Sequence, residues 1–413
     1  MNGEKLFLVG WLIDGSGGPV QKKMVLKVVD GKFQDIQEYD PEAMNEAYQV
    51  NDLSHCTILP PLVDSHVHLF MSGTTNQEAR KHQLIAGYDE IRPVIEQHLH
   101  YLFSHGVLAV RDGGDHGAFA LKYQHESVVN KEMVLRVAGR AWKKEGRYGS
   151  LIGRHPGTGE SLAGAYAAET EVVDHVKLVN SGLNSLTKFG SETAPQFTKD
   201  EIGELVKIAE SHGKKVMVHA NGILPVQIAI EAGCHSIEHG FFMGKENLQR
   251  MADKGTVWVP TIFTMKAYGQ NSTLGRSRID LQVIAKTIDH QLQQLSMARD
   301  IGVKVALGTD AGSLGVLHGE SVVEEMKLYI KAGYTLAETV QCVTHNGAGL
   351  LGLDRGLIAA GKPADFLVAR GTPAQLPRKL SYIEGIYLGG EPSSTYRKNP
   401  VKIVAGSGKV QKK

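Results

Sequence analysis

Three cysteines in 413 residues, Cys56, Cys234 and Cys342, stand far apart and in no paired motif. That excludes a disulfide framework and fits a reducing compartment. Charge of one sign is missing as well: 45 Lys and Arg against 44 Asp and Glu leave a formal net charge of +1. No global field would therefore hold nucleic acid or an anionic membrane. No apolar run reaches the length of a membrane span. The opening "MNGEKLFLVGWLIDGSGG" breaks its short apolar stretch at Gly10 and Asp14, without the h-region or cleavage site of a signal peptide. The expectation is a cytoplasmic protein acting on a small molecule; a homo-oligomer is compatible with this sequence but not read from it.

What is present is apolar residue, 42% of the chain, enough for a barrel-sized core and a satellite. The first sixty residues alternate in short segments, "KLFLVGWLID", "KMVLKVVDGKFQDIQEY" and "CTILPPLVD", between Gly-rich turns, a pattern of antiparallel strands. The texture returns after residue 355 in "GLIAAGKPADFLVAR", "IEGIYLGGE" and "VKIVAG". Residues 1–59 and 355–413 are thus expected to share a small β-sandwich, ending in a loose "GSGKVQKK" tail.

Between them, over residues 60–354, eight apolar runs alternate with amphipathic stretches: "LVDSHVHLF", "GVLAVRDGG", "MVLRVAGRA", "VVDHVKLVNSG", "KKVMVHANG", "HSIEHGFF", "TVWVPTIF" and "VKVALGTDAG". In "KDEIGELVKIAESHG", Ile202, Leu205, Val206 and Ile208 recur at helical spacing. The pattern suits an α/β fold, a (β/α)8 TIM barrel with its active site at the C-terminal strand ends. A doubly wound open sheet is the alternative, but no Gly-rich phosphate fingerprint follows the first strand. "HPGTGES" at 155–161 lacks the lysine of a phosphate-binding loop.

Eighteen histidines make their placement the useful question. His66 and His68 lie two apart, so on an extended strand both imidazoles project from one face and can chelate one ion. His219 ends the fifth run, His239 the sixth and Asp310 the eighth, each a good metal-ligand type at the barrel mouth. Any one histidine reads equally as a hydrogen-bonded structural residue; four with an aspartate, at strand ends 1, 5, 6 and 8, point to metal.

Lys177 sits inside the apolar "VVDHVKLVNSG", where an ammonium would lose its water. It could snorkel to solvent or pair with an acid such as Glu238. Among the histidines a third reading opens, since burial favours the neutral amine. That amine can add carbon dioxide and become a carbamate, an anion able to bridge two cations. Glu238, next to His239, is expected by strand alternation to point away from the metals.

"VDSHVHL", "HVKLVNSG", "VMVHA", "IEHG" and "GTDAG", in that order, resemble the amidohydrolase superfamily, in particular its imidazolonepropionase-like and Xaa-Pro dipeptidase-like branch with a carboxylated lysine. "LIDGSGGP", "RDGG" at 111–114 and "GKPADFLV" at 361–368 are also similar, so the resemblance spans nearly the whole chain. It implies that His66 and His68 hold one divalent ion with Asp310, that His219 and His239 hold a second, and that N6-carboxylysine at Lys177 bridges them. Lys188, in "LTKFGSE", is the rival. Zinc is the first choice of metal, with manganese, cobalt and iron compatible with the same ligands.

The resemblance further implies hydrolysis of an amide-type C–N bond, in a dipeptide, an N-acyl amino acid or a cyclic amide. A hydroxide shared by the ions would attack, with Asp310 as general base and then acid. Two departures bear on substrate. The branch's tyrosine two residues after the strand-5 histidine is Asn221 here, and the loop after strand 3 is "KKEGRYGS", bringing Arg147 and Tyr148. These two either line a pocket for a carboxylate-bearing or aromatic substrate or lie in solvent. His318 either contacts substrate or caps the last barrel helix. A mononuclear deaminase or cyclic-amidine hydrolase is a competing function, weakened by Gly222 where an acid would shuttle protons. A lactone or carbamate hydrolase and an inactive scaffold are others; the apparent survival of all six ligands argues against the last.

Overall fold

The computed structural model describes residues 4–42, 50–126, 132–272 and 279–396. The expected strand "VKIVAG" and the "GSGKVQKK" tail lie outside the described residues. In chain order the strands are β1 (Lys5–Leu12), β2 (Gln21–Val29), β3 (Lys32–Glu38), β4 (Val50–Leu59), β5 (Leu62–Val67), β6 (Val107–Asp112), β7 (Val134–Val137), β8 (Ala141–Trp142), β9 (Gly153–Arg154), β10 (Val176–Val179), β11 (Val216–Ala220), β12 (Ser236–His239), β13 (Val257–Val259), β14 (Phe366–Arg370), β15 (Gly385–Leu388) and β16 (Glu391–Pro392).

Strands from both ends share one seven-stranded mixed sheet, ordered β16-β15-β14-β4-β1-β2-β3. Asp30 and Gly31, both at positive φ (50° and 75°), turn β2 into β3, as a two-residue Asp-Gly hairpin requires. The sheet's own core gathers Phe7, Leu26, Phe33, Ile58 and Phe366, with Phe7 and Phe366 edge to face at 5.2 Å. β14 pairs with β4, bringing Ala369 opposite Thr57, and the Thr57 hydroxyl donates to the Gly371 carbonyl, 314 residues on. Two prolines then lead β4 directly into β5.

The middle of the chain is α/β with parallel strands, in one three-stranded sheet, β5-β6-β7, and one six-stranded sheet, β13-β12-β11-β10-β8-β9. β5, β6, β10, β11 and β12 are buried along their full lengths, which is why they read as near-continuous apolar runs rather than alternating ones. The helix Lys199–Ser211 opens on a Thr198–Glu201 capping box and buries Ile202, Leu205, Val206 and Ala209 against them. Ile208, expected on that face, is only half-buried.

The eighth apolar run differs from expectation: it forms no regular strand, only isolated parallel bridges from Val305 to Trp258 and from Ala311 to Val67. Its backbone nevertheless bonds both sheet edges. Trp258 N–H donates to Lys304 at 2.9 Å, Ser65 N–H donates to Leu307 at 2.9 Å, and Asp310 N–H to His66 at 2.7 Å. Gly308 explains the close passage, because a β-carbon there would lie 2.8 Å from His66 Cβ. No helix among the described residues is long and apolar enough to cross a membrane.

Candidate metal centre

Those last bonds set Asp310, at φ 58°, against the end of β5. Its Oδ1 lies 3.6 Å from His66 Nε2 and 3.4 Å from His68 Nε2, and one ligand atom from each of the three residues falls within 4.8 Å of the others. His219 on β11 and His239 at the end of β12 bring their rings to 4.5 Å centroid to centroid. His239 in turn stands 5.0 Å from His66. Four imidazoles and one carboxylate thus converge at the C-terminal ends of parallel strands. Gly113 leaves them room, since a β-carbon there would sit 2.7 Å from the His68 ring.

Each ring is held through one nitrogen and turned by it. His66 Nδ1 donates to Glu238 Oε2 at 2.8 Å, His68 Nδ1 to the Gly114 carbonyl at 2.8 Å, and His219 Nε2 to the Gly182 carbonyl at 3.2 Å. His239 Nδ1 is bonded to Thr261 Oγ1 at 2.7 Å. The opposite nitrogen of each is the one left for a ligand, the arrangement by which outer residues orient metal-binding histidines.

Glu238 corrects the alternation argument. It does not point away: it reaches His66, and its other oxygen accepts from Arg111 Nη2 at 2.7 Å and Ser236 Oγ at 2.6 Å. Alternation holds along β12, but His239 closes the strand at φ 68°, a left-handed conformation that swings its ring back to the side Glu238 already faces. Sequence reading missed the supporting roles of Glu238, Arg111 and Thr261; the Glu-His pair "IEHG" was their only signal.

Burial is the largest influence on the ionisable groups. It keeps His66, His68, His219 and His239 neutral, pushing His68 to about 4 and His219 to about 3, with the Lys177 charge next in weight for these two and for His66. Burial also lowers Lys177 and raises Asp310. Lys177 is 1% exposed, and among the described residues its Nζ has no hydrogen-bond partner; neither has His66 Nε2. Neutral imidazole nitrogens, a carboxylate and an orphaned buried amine together form a donor set that fits divalent metal.

The remaining candidates separate by environment. Lys188 is exposed in a loop. Arg147 lies at the surface and donates to the Ala194 carbonyl at 2.7 Å. Tyr148, partly exposed, sets its ring 5.3 Å from His219. Asn221 spends its amide on backbone, accepting from Phe241 N–H at 3.0 Å and donating to Gly182 at 3.4 Å, which leaves it little for substrate. His318 is buried, stacked on His98 at 3.8 Å, with Nε2 donating to the His68 carbonyl at 3.2 Å. It braces a ligand-bearing segment.

Residues 57–410 match the sequence profile of the Amidohydrolase family. The chain belongs to the amidohydrolase family. An uncharacterized protein of Mycobacterium tuberculosis is 26% identical over 380 residues, covering 92% of this chain and 94% of that one. The imidazolonepropionase of Geobacillus thermodenitrificans is 24% identical over 399 residues, covering 86% and 82%. A solved Xaa-Pro dipeptidase, with methionine bound in its active site, superposes with a TM-score of 0.77 at 26% identity, covering 94% of this chain and 99% of that one. The resemblance read from the motifs is thereby shown, and this amidohydrolase is a hydrolase of C–N bonds. Its family uses divalent metals, and His66, His68 and Asp310 form a group able to bind one.

Proposed function

We propose that this amidohydrolase holds two divalent ions, zinc by its donor types, and hydrolyses the C–N bond of a dipeptide, an N-acyl amino acid or a cyclic amide. His66, His68 and Asp310 would hold one ion, His219 and His239 the other, and carboxylated Lys177 would bridge them. One observation carries this reading: a buried amine with no hydrogen-bond partner among the described residues, Lys177 Nζ, whose charge bears on His66, His68, His219 and His239. Glu238, Asp310 and Asp112 act on it through space, yet none of them accepts a hydrogen bond from it. Burial favours the neutral amine, whose lone pair forms an N–C bond with carbon dioxide; one proton leaves, and a carbamate anion remains. The exposure of Lys188 supports Lys177 over it.

The ions, when bound, supply an activated water and polarise the scissile carbonyl. Asp310, beside His66 and His68, would accept a proton at its carboxylate and pass it to the leaving nitrogen. Tyr148, beside His219, offers a phenol to the carbonyl oxygen in place of the branch's missing tyrosine. Glu238 and Thr261 keep His66 and His239 in the required tautomer.

For the architecture we propose that the two parallel sheets and the 303–311 segment close into a (β/α)8 barrel over residues 60–354. The terminal sheet would then fold over its aromatic core as a small β-sandwich of residues 1–59 and 355–413. The bonds from residues 304–310 to β5 and β13 support the closure.

A mononuclear reading has one observation in its favour, the compact group of only three ligands. Metal content separates the two: about two ions per active chain supports the proposal, and one ion at full activity refutes it. A screen of Xaa-Pro dipeptides, N-acyl amino acids and cyclic amides, run alongside, tests the substrate class.

A further inference from the structure

Lys143 follows β8 and is 5% exposed. Trp142, before it, pairs with Leu178 of β10, while Val179 pairs with His219 of β11. Side chains alternate along strands and register across them. Trp142 lies edge to face with Tyr166 of the helix Leu162–Ala167 at 6.5 Å, so it faces outward. Lys143 therefore faces the interior in the layer of Val179 and His219. The packing agrees, since a β-carbon on Gly149 would meet Val179 Cγ2 at 3.2 Å and Lys143 Cβ and Cδ at 3.3 Å. Tyr148, next along, is the residue against His219.

The ammonium at the end of this buried stem has one polar contact among the described residues, the Arg147 carbonyl at 3.5 Å. That is the outer limit of a hydrogen bond. No carboxylate among the described residues lies within ion-pairing distance of it. Its neighbour Lys144, by contrast, is exposed. An ammonium in that position has three donors to satisfy and lacks an anion.

We propose that Lys143 anchors a free carboxylate of the substrate. This rests on the proposed C–N hydrolase reading and narrows it to dipeptides or N-acyl amino acids with a free α-carboxylate, setting aside cyclic and neutral amides. A carboxylate entering the mouth meets a donor carried on a buried stem and held by one long contact, so the pair forms as a charge-assisted bond and fixes which end of the substrate lies towards His219.

The test compares an N-acyl amino acid with its C-terminal primary amide on the metal-loaded enzyme, in wild type, Lys143→Met and Lys143→Arg. Wild type is expected to prefer the acid by about 100-fold in kcat/KM, the scale of losing one partner of a buried charge pair. Lys143→Met should lose that preference through KM, leaving the amide's kcat/KM within about threefold, and Lys143→Arg should keep part of it. Calorimetric titration with a non-hydrolysable N-alkyl amino acid should show the same loss of affinity, independently of turnover. Equal wild-type rates on acid and amide, or equal losses on both in Lys143→Met, overturn the anchor and leave the C–N hydrolase standing. If Lys143→Met fails to fold, the wild-type preference and Lys143→Arg decide. No turnover of any C–N substrate would sink the proposed function instead.

Discussion

Replacing Lys177 with methionine keeps the length of the stem and removes the nitrogen, so it separates the group's burden from its use. In the metal-free protein Lys177 Nζ is buried with no hydrogen-bond acceptor among the described residues, and an unsatisfied buried group of this kind costs about 1–3 kcal/mol. Metal-free Lys177→Met is therefore expected to be more stable than wild type by about that amount, read as a higher urea midpoint at unchanged slope. In the metal-loaded protein the order should reverse. Without a bridging anion, two neighbouring cations repel across a low-dielectric site, so the variant should bind one ion and lose at least about 10³-fold in kcat/KM, about 4 kcal/mol of transition-state stabilisation. Lys177→Ala leaves a cavity, and short carboxylic acids added in millimolar amounts should restore part of both ion content and rate. The measurements are metal analysis by plasma mass spectrometry, urea melts with and without metal, and steady-state kinetics. Two ions and wild-type turnover in Lys177→Met would refute the reasoning, as would a metal-free variant less stable than its parent.

Glu238→Gln takes the negative charge from His66 Nδ1 and Arg111, and should weaken metal binding by about 10–100-fold in a competitive chelator titration; unchanged affinity would mean that the carboxylate does not orient the ring. Asp310→Asn should lower kcat by about 10²–10⁴-fold and flatten the acid limb of the pH–rate profile. Glu325, which feels the Asp310 charge, provides a pH test on the metal-free protein. Its two oxygens accept from Ile262 N–H at 2.9 Å and Phe263 N–H at 2.7 Å, yet burial raises it from 4.5 to about 8. The folded state then binds the extra proton between those values, so its share of stability is present below about pH 4.5 and is lost as pH rises towards about 8. Urea midpoints from pH 5 to 8 should fall less steeply in Glu325→Gln than in wild type.

The candidate cluster was legible because two-residue spacing and strand ends are local properties: His66 and His68 share a face whatever the rest of the chain does. Lys177 stood out for a similar reason, a cation within an apolar run. Glu238 was misread because alternation presumes extended backbone throughout, and His239 leaves that region at φ 68°. Asn221 and His318 attracted notice by position, but their hydrogen bonds run to Phe241, Gly182 and His68, residues distant in sequence or on another element. Lys143 gave no sign, since "WKKEG" looks like a solvated turn until the register with β10 turns one lysine inward. The α/β pattern with parallel strands was plain from the apolar runs, whereas the eighth run bonds as scattered bridges because Gly308 and Gly312 bring backbone close to His66 and His68.

The pairing of β4 with β14 has a bearing on how the enzyme is made. As the chain leaves the ribosome, the strand carrying His66 emerges early and β4, two residues ahead of it, already has β1 on one edge, but the strand on its other edge is synthesised some three hundred residues later. Closing so long a loop is slow. Nascent chains would thus carry the sheet beside the candidate metal cluster with one edge open until nearly the whole polypeptide exists.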